Sequence, residues 1–273
     1  LTTGGRNIAI GYSALSTEDA GSYNTAIGYN ALRDQDAGDA YNTAVGYNAG
    51  VSVSTGVRNT IIGGLAGDAL TTGSDNIAIG YAALSSSDTG SRTVAIGSYA
   101  LEDQNPTGSD YLYNVAIGYT AGRDITTGTN NTLIGGLAGD ALTTGYGNVA
   151  IGYNALSAED TGGTNVAIGH AALQVQDAGA NAYNIAIGYD AAKAITTGTH
   201  NTIIGGDAGK ALNSGGGNVA IGTEALSTED GHGRNIAIGV NALKVQDAGT
   251  NAYNVAVGYD AGVSVSTGIE NTL

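Results

Sequence analysis

A short pentapeptide, Asn-(Ile/Val/Thr)-Ala-(Ile/Val)-Gly with limited variation, recurs fifteen times, its glycines standing at 11, 28, 46, 63, 80, 97, 118, 135, 152, 169, 188, 205, 222, 239 and 258. Successive intervals are 17 residues with excursions to 18, 19 and 21, too short for a helical hairpin or a propeller blade. A unit of this size cannot bury a core alone and has to stack on its neighbours. The chain is therefore read as all-β, a parallel β-solenoid of about 15–16 coils forming a single array over 1–273.

Positions within a coil are counted here from the motif glycine. The residue at −1 is always Ile or Val and that at −3 is Ile, Val or Thr, the period-two chemistry of a strand. Ala occupies +3 in all fifteen coils, and a second glycine recurs near +10, as in Gly21, Gly56, Gly73 and Gly128. The two glycines are predicted to mark corners. Asn fills −4 in fourteen of the fifteen coils, with Thr93 as the exception. A stacked Asn column predicts amide hydrogen bonds passed from coil to coil.

A longer period overlies the first. At +4 the residues run Leu15, Leu32, Gly50, Gly67, then Leu84, Leu101, Gly122, Gly139, and so on, which defines a four-coil super-repeat of about 70 residues. Where Leu is missing an aliphatic stands at +7 (Val53, Leu70, Ile125, Leu142), so one large apolar group is kept per coil. Leu1 corresponds to Leu70 and Leu273 to Leu133, so an excerpt of a longer array is expected.

Position −2 is never polar: it is Ala in twelve coils and Ile61, Leu133 or Ile203 in the other three. A strand apolar at every position reads as buried on both faces. On this reading Ala78, Ala150, Ala220 and the three large aliphatics pack between chains, and the protein is a homo-oligomer. The alternative is a tolerated column of exposed alanines.

The stretches Asn-Ile-Ala-Ile-Gly-Tyr-Ser-Ala-Leu at 7–15 and Asn-Val-Ala-Ile-Gly-Tyr-Asn-Ala-Leu at 148–156 resemble the repeats of phage tail-fibre-type proteins, and Val-Ala-Ile-Gly is similar to the head repeats of trimeric autotransporter adhesins. The resemblance covers all fifteen coils. It implies a left-handed β-roll, a trimer, and an extracellular, cell-surface or virion fibre that meets a glycan or protein receptor.

Composition narrows the partners. With 24 acidic and 9 basic residues the net charge is −15, the wrong sign for phosphate backbones and anionic membranes. No apolar run approaches the roughly 18–20 residues of a membrane span, so neither nucleic acid nor membrane insertion is expected. Without Cys, Met, Trp or Phe, disulfides, thiol chemistry and Cys-based zinc sites are excluded.

No enzyme, cofactor or metal site is expected. His170, His200 and His232 occupy different places in the repeat. The pairs Glu18-Asp19, Glu159-Asp160 and Glu229-Asp230 invite a calcium or glycosidase reading but are read as a solubilising acidic ridge. Gly63-Gly64-Leu65-Ala66-Gly67 lacks the Gly-Lys-Ser/Thr of a phosphate loop. The second coil of each super-repeat carries extra residues before a tyrosine: Tyr41, Tyr113, Tyr183 and Tyr253. One such bump is expected every ~19 Å at ~4.8 Å per coil, and its Tyr either contacts a receptor or caps the core. Thr-Thr-Gly at 2–4, 71–73, 126–128, 143–145 and 196–198 keeps an ice-binding or glycan-coated surface as an alternative, with a carbohydrate-active solenoid behind it. The leading expectation is a structural fibre segment, a shaft or adhesin stalk for display and attachment.

Overall fold

The computed structural model describes residues 4–106 and 111–273; Leu1–Thr3, and Ser109 and Asp110 of the second predicted bump, lie outside them. Each motif forms one three-residue strand, because the Asn at −4 and the glycine at zero close it on either side. The chain divides into two compact units, Leu1–Gly136 and Leu137–Leu273, each built on the same motif. The first holds β1 (Ile8–Ile10), β2 (Thr25–Ile27), β3 (Thr43–Val45), β4 (Thr60–Ile62), β5 (Ile77–Ile79), β6 (Val94–Ile96), β7 (Val115–Ile117) and β8 (Thr132–Ile134). The second holds β9 (Val149–Ile151), β10 (Val166–Ile168), β11 (Ile185–Ile187), β12 (Thr202–Ile204), β13 (Val219–Ile221), β14 (Ile236–Ile238) and β15 (Val255–Val257). Within each unit the strands pair parallel in chain order and without stagger, as in Thr60↔Ile77 and Val166↔Ile185. The fold is a parallel β-solenoid, and there is no helix among the described residues.

The pairing continues past the strands. Gly28 N–H donates to Ile10 O at 2.8 Å, Asn30 to Tyr12 O at 2.9 Å and Leu32 to Ala49 O at 3.1 Å, so turn backbone that would otherwise need water is satisfied by the adjacent coil. The buried Asn column adds a second ladder. Asn42 N–H donates to Asn24 Oδ1 at 3.0 Å, Asn59 to Asn42 Oδ1 at 2.8 Å and Asn76 to Asn59 Oδ1 at 3.0 Å, and the second unit repeats the pattern from Asn148 to Asn271. In most coils the amide nitrogen then reaches the glycine carbonyl fourteen residues on, as Asn59 Nδ2 does to Gly73 O at 2.9 Å, whereas Asn24, Asn165 and Asn235 Nδ2 have no partner. Thr93 accepts no ladder bond from Asn114, having no amide carbonyl to offer.

The strand's inward face is the −2 column, and this corrects the assignment of that column to contacts between chains. Ala78, Ala150, Ala220, Ile61, Leu133 and Ile203 are all 0% exposed within the single chain. The exchange of large for small takes place across the solenoid interior. A Cβ on Gly50 would meet Ile61 Cδ1 at 2.8 Å, one on Gly122 would meet Leu133 Cδ1 at 2.6 Å, and one on Gly209 would meet Ile203 Cδ1 at 3.2 Å. The aliphatic at −2 thus occupies volume that Leu fills at +4 in other coils, and close packing leaves no room for both. The four-coil period records this alternation inside one chain.

The motif glycine is a corner, as the sequence predicts: Gly63 has φ of +136° and a Cβ there would lie under 3.0 Å from the Gly80 carbonyl. The second glycine is needed for a different reason. Gly73 lies outside the left-handed region, but its Cβ would strike the Gly90 carbonyl of the next coil. Three further left-handed columns, at +2, +4 and −5, are filled largely by non-glycine residues such as Asn48, Leu32 and Tyr41, at φ of 53°, 48° and 56°.

Two substitutions test this frame. Asn59→Ala strands the buried Asn76 N–H and the Gly73 carbonyl, at about 1–3 kcal/mol each, so the urea midpoint should fall by an amount equivalent to about 2–6 kcal/mol. Gly63→Ala combines a forbidden backbone geometry with a collision against the next coil and should abolish cooperative unfolding monitored by circular dichroism.

Candidate functional site

Three surface features rise from the repeat. The first is the outward strand face. Because −2 points in, −1 and −3 point out, and none of these residues is buried: Ile62, Ile77, Ile185 and Ile236 expose 36–38% of their surface. In the first unit twelve of the sixteen outward positions are aliphatic and the others are Thr25, Thr43, Thr60 and Thr132. Beside this face the +1 column carries stacked rings. Tyr12, Tyr29 and Tyr47 follow one another at centroid distances of 5.3 and 5.5 Å, and His170 lies between Tyr153 and Tyr189 at 5.7 and 5.1 Å. The recurrence of Tyr at +1 in eight coils was the available sequence signal for this aromatic ladder.

The second feature is the left-handed column at −5, which includes all four tyrosines of the predicted bumps. Tyr41, Tyr113, Tyr183 and Tyr253 are 47–54% exposed, so they do not cap the core. That task falls to the residue before each one, Ala40, Leu112, Ala182 and Ala252, at 0–1% exposure. Tyr41 stacks on Tyr23 at 4.7 Å and Tyr183 on His200 at 5.3 Å. Arg92 donates to Tyr113 Oη at 2.7 Å and Arg234 to Tyr253 Oη at 2.6 Å. In the first unit Asp75 lies in this column, held by Arg58 through 2.6 and 2.9 Å bonds. Those bonds pull its pKa below the usual carboxylate range, with burial opposing and the nearby Arg58 and Arg92 charges adding. The corresponding places in the second unit are Gly147 and Gly217, and at Gly217 an open depression is lined by Thr199, His200, Gly216, Arg234 and Asn251.

The third feature is a corner of carboxylates at +7 and +8. Glu159 is fully buried; its Oε1 accepts from Gly162 N–H at 2.7 Å, while its Oε2 has no partner. Glu229 repeats this, accepting from His232 N–H at 3.2 Å with Oε2 unpartnered. Asp177 and Asp247, at +8 of the following coils, complete clusters with Glu159-Asp160 and with Glu229-Asp230-His232, whose ligand atoms all lie within 4.8 Å of one another. The reading of the three Glu-Asp pairs as a solubilising ridge is corrected for their glutamates, which are buried, and stacking brings His232 beside Asp247, fifteen positions on. His170 and His200 stay in the aromatic columns. Glu18 is buried with an unpartnered Oε2 as well, but Glu18, Asp19 and Asp36 are not drawn into the same close cluster. In the Thr-Thr-Gly segments at 71–73, 143–145 and 196–198 the first Thr is tied to the next coil, Thr71 Oγ1 to Asp88 O at 3.0 Å, Thr143 Oγ1 to Asp160 O at 2.9 Å and Thr196 Oγ1 to Asn213 Oδ1; Thr2 and Thr3 of the segment at 2–4 lie outside the described residues.

Comparison with family models, with curated proteins and with solved structures gave no match.

Burial, more than the Asp177 and Asp160 charges, pushes the Glu159 carboxyl up to about 7, against the Gly162 hydrogen bond that pulls it down. The folded chain therefore holds a proton that the unfolded chain, with a carboxyl near 4.5, has released. This contribution is present at acid pH and is lost as pH rises from about 4.5 through about 7. In buffer free of divalent cations, the urea midpoint should decline across that window, and Glu159→Gln should flatten the decline; an unchanged slope would refute the assignment.

Proposed function

We propose that the protein is a structural fibre segment, an extracellular or virion shaft or adhesin stalk that assembles with copies of itself and meets a surface receptor. The observation that carries this reading is the outward aliphatic face repeated on every strand of each unit. An Ile or Val that is a third exposed leaves roughly a third of the ~1.5–3 kcal/mol of its full burial unrealised. Twelve outward Ile and Val side chains in the first unit, exposed at Ile8, Ile10, Ile62 and Ile77 and partly exposed at the rest, amount to at most ~6–12 kcal/mol, comparable with the ~4–15 kcal/mol that association opposes. A second copy is the occupant that matches a periodic face at every coil, since its own strands have the same spacing. A trimer, as in the proteins the repeat resembles, closes such a contact without leaving an open edge.

Attachment is assigned to the −5 column. Its tyrosines present broad, amphipathic rings at little entropic cost. The depression at Gly217, between His200 and Arg234, offers an acidic receptor group the place that Asp75 takes between Arg58 and Arg92.

Light scattering should give a mass that is a multiple of the 26.9 kDa chain. Ile79→Lys with Ile96→Lys, on the outward face, should lower that mass while leaving the circular dichroism spectrum intact. Ala78→Asp, on the inward face, should unfold the chain instead, because it buries an unpaired charge. A wild-type chain that stays monomeric at high concentration would remove the support for this reading.

A further inference from the structure

We propose that the corner of Glu159, Asp160 and Asp177 is a divalent-cation site of the calcium type, and that Glu229, Asp230 and Asp247 form a second copy of it. The donor set is suited to the ion. Calcium takes carboxylate oxygens at about 2.3–2.6 Å, so donors on opposite sides of one ion stand about 4.6–5.2 Å apart. The ligand atoms of each cluster lie within 4.8 Å of one another, inside a single coordination sphere.

The second observation is independent of the clustering. Glu159 and Glu229 are each 0% exposed, and each spends one oxygen on a backbone N–H while the other has no hydrogen-bond partner. An isolated carboxylate oxygen away from water is unfavourable unless protonated, paired or bound to a metal. Among the described residues no Lys or Arg forms an ion pair with any of the six carboxylates. The first cluster therefore concentrates negative charge around a buried, unsatisfied acceptor, and in the second His232 Nδ1 stands 3.5 Å from Glu229 Oε1. The all-oxygen set with partly exposed Asp residues favours calcium over magnesium, which demands stricter octahedral geometry and sheds water reluctantly. His232 adds a nitrogen to the second copy.

The place of these corners in the repeat gives the ion a task. In most coils the ladder Asn amide donates to a glycine carbonyl, but Asn165 and Asn235 Nδ2 have no partner, because the residues fourteen on, Gly179 and Gly249, fall in the loops that carry the extra residues. A cation bridging Asp160 to Asp177, or Asp230 to Asp247, joins two coils where that side-chain bond is missing. The second super-repeat provides an internal comparison: the same places hold Ser87, Asp88 and Asn105, with Thr93 in the Asn column.

The test is calcium titration of the metal-free full chain by calorimetry, with thermal unfolding in chelator and in millimolar calcium. Two calcium ions per chain and a melting temperature raised by several degrees are expected. Asp177→Asn should remove one binding event, and Asp177→Asn with Asp247→Asn should remove both and abolish the shift while leaving the melting temperature in chelator near that of the wild type. Asp177 and Asp247 are on the exposed rim, so these variants fold, whereas a change at Glu159 disturbs the interior. Absence of binding heat and of any shift in millimolar calcium, or a shift retained by the double variant, would overturn the proposal.

Discussion

Everything in each unit depends on a zero-stagger register between coils, and the buried Asn column enforces it. Asn59 Oδ1 receives the Asn76 N–H at 3.0 Å and its Nδ2 reaches Gly73 O at 2.9 Å, so a slip by one residue would leave several buried polar groups without partners. The cost of an unmade buried bond exceeds the gain from making one, which makes the ladder a stronger determinant of register than of stability. Once the register is fixed, like residues stand above like. Tyr stacks on Tyr, Ala on Ala, and motif glycines such as Gly63 and Gly169 meet the next glycine's carbonyl at a distance no side chain permits.

A narrow interior follows from that regularity and explains the longer period. The inward positions are mostly Ala, and each coil has room for only a limited set of large side chains. Leu at +4 gives way to Gly where Ile61, Leu133 or Ile203 enters from −2. Polar residues use the remaining space at +7: Gln35 and Gln176 are buried and accept from Asn42 and Asn184 at 2.5 and 2.6 Å. Glu at the same position has no such partner for its second oxygen, and the difference between amide and carboxylate at one site separates a structural hydrogen bond from an electrostatically demanding corner.

The surface is shaped by the same columns. Some ion pairs join sequence neighbours, as Arg33 holds Asp34 at 2.7 Å and Arg123 holds Asp124 at 2.7 Å, and others cross between coils, as Arg58 does to Asp75 at 2.6 Å. Exposed pairs of this kind contribute ~0–1 kcal/mol, so they decorate the solenoid without holding it together. The outward Ile and Val columns are different in kind, because their repetition sums small exposures into a continuous apolar stripe in each unit, suited to another copy of the chain.

The sequence by itself determined the solenoid, one strand per motif, the Asn ladder and the four-coil period, because each is a pattern along the chain with a fixed spacing: strand alternation, a glycine where the backbone turns sharply, a polar column at constant offset. Which face of the strand is inside was decided only by the tertiary structure. Ala at −2 and Ile at −1 are both apolar, and alternation alone says that they point apart without saying which way. The size of the interior settles it, since a coil this small accepts Ala in most layers and turns the larger Ile and Val outward. The left-handed columns at +2, +4 and −5 were hidden for a related reason: Leu32 and Tyr41 carry no local signature of positive φ and adopt it because adjacent coils hold the backbone there. The carboxylate corners needed the same information. Asp160 and Asp177 are far apart in sequence and become neighbours only when one coil is laid on the next.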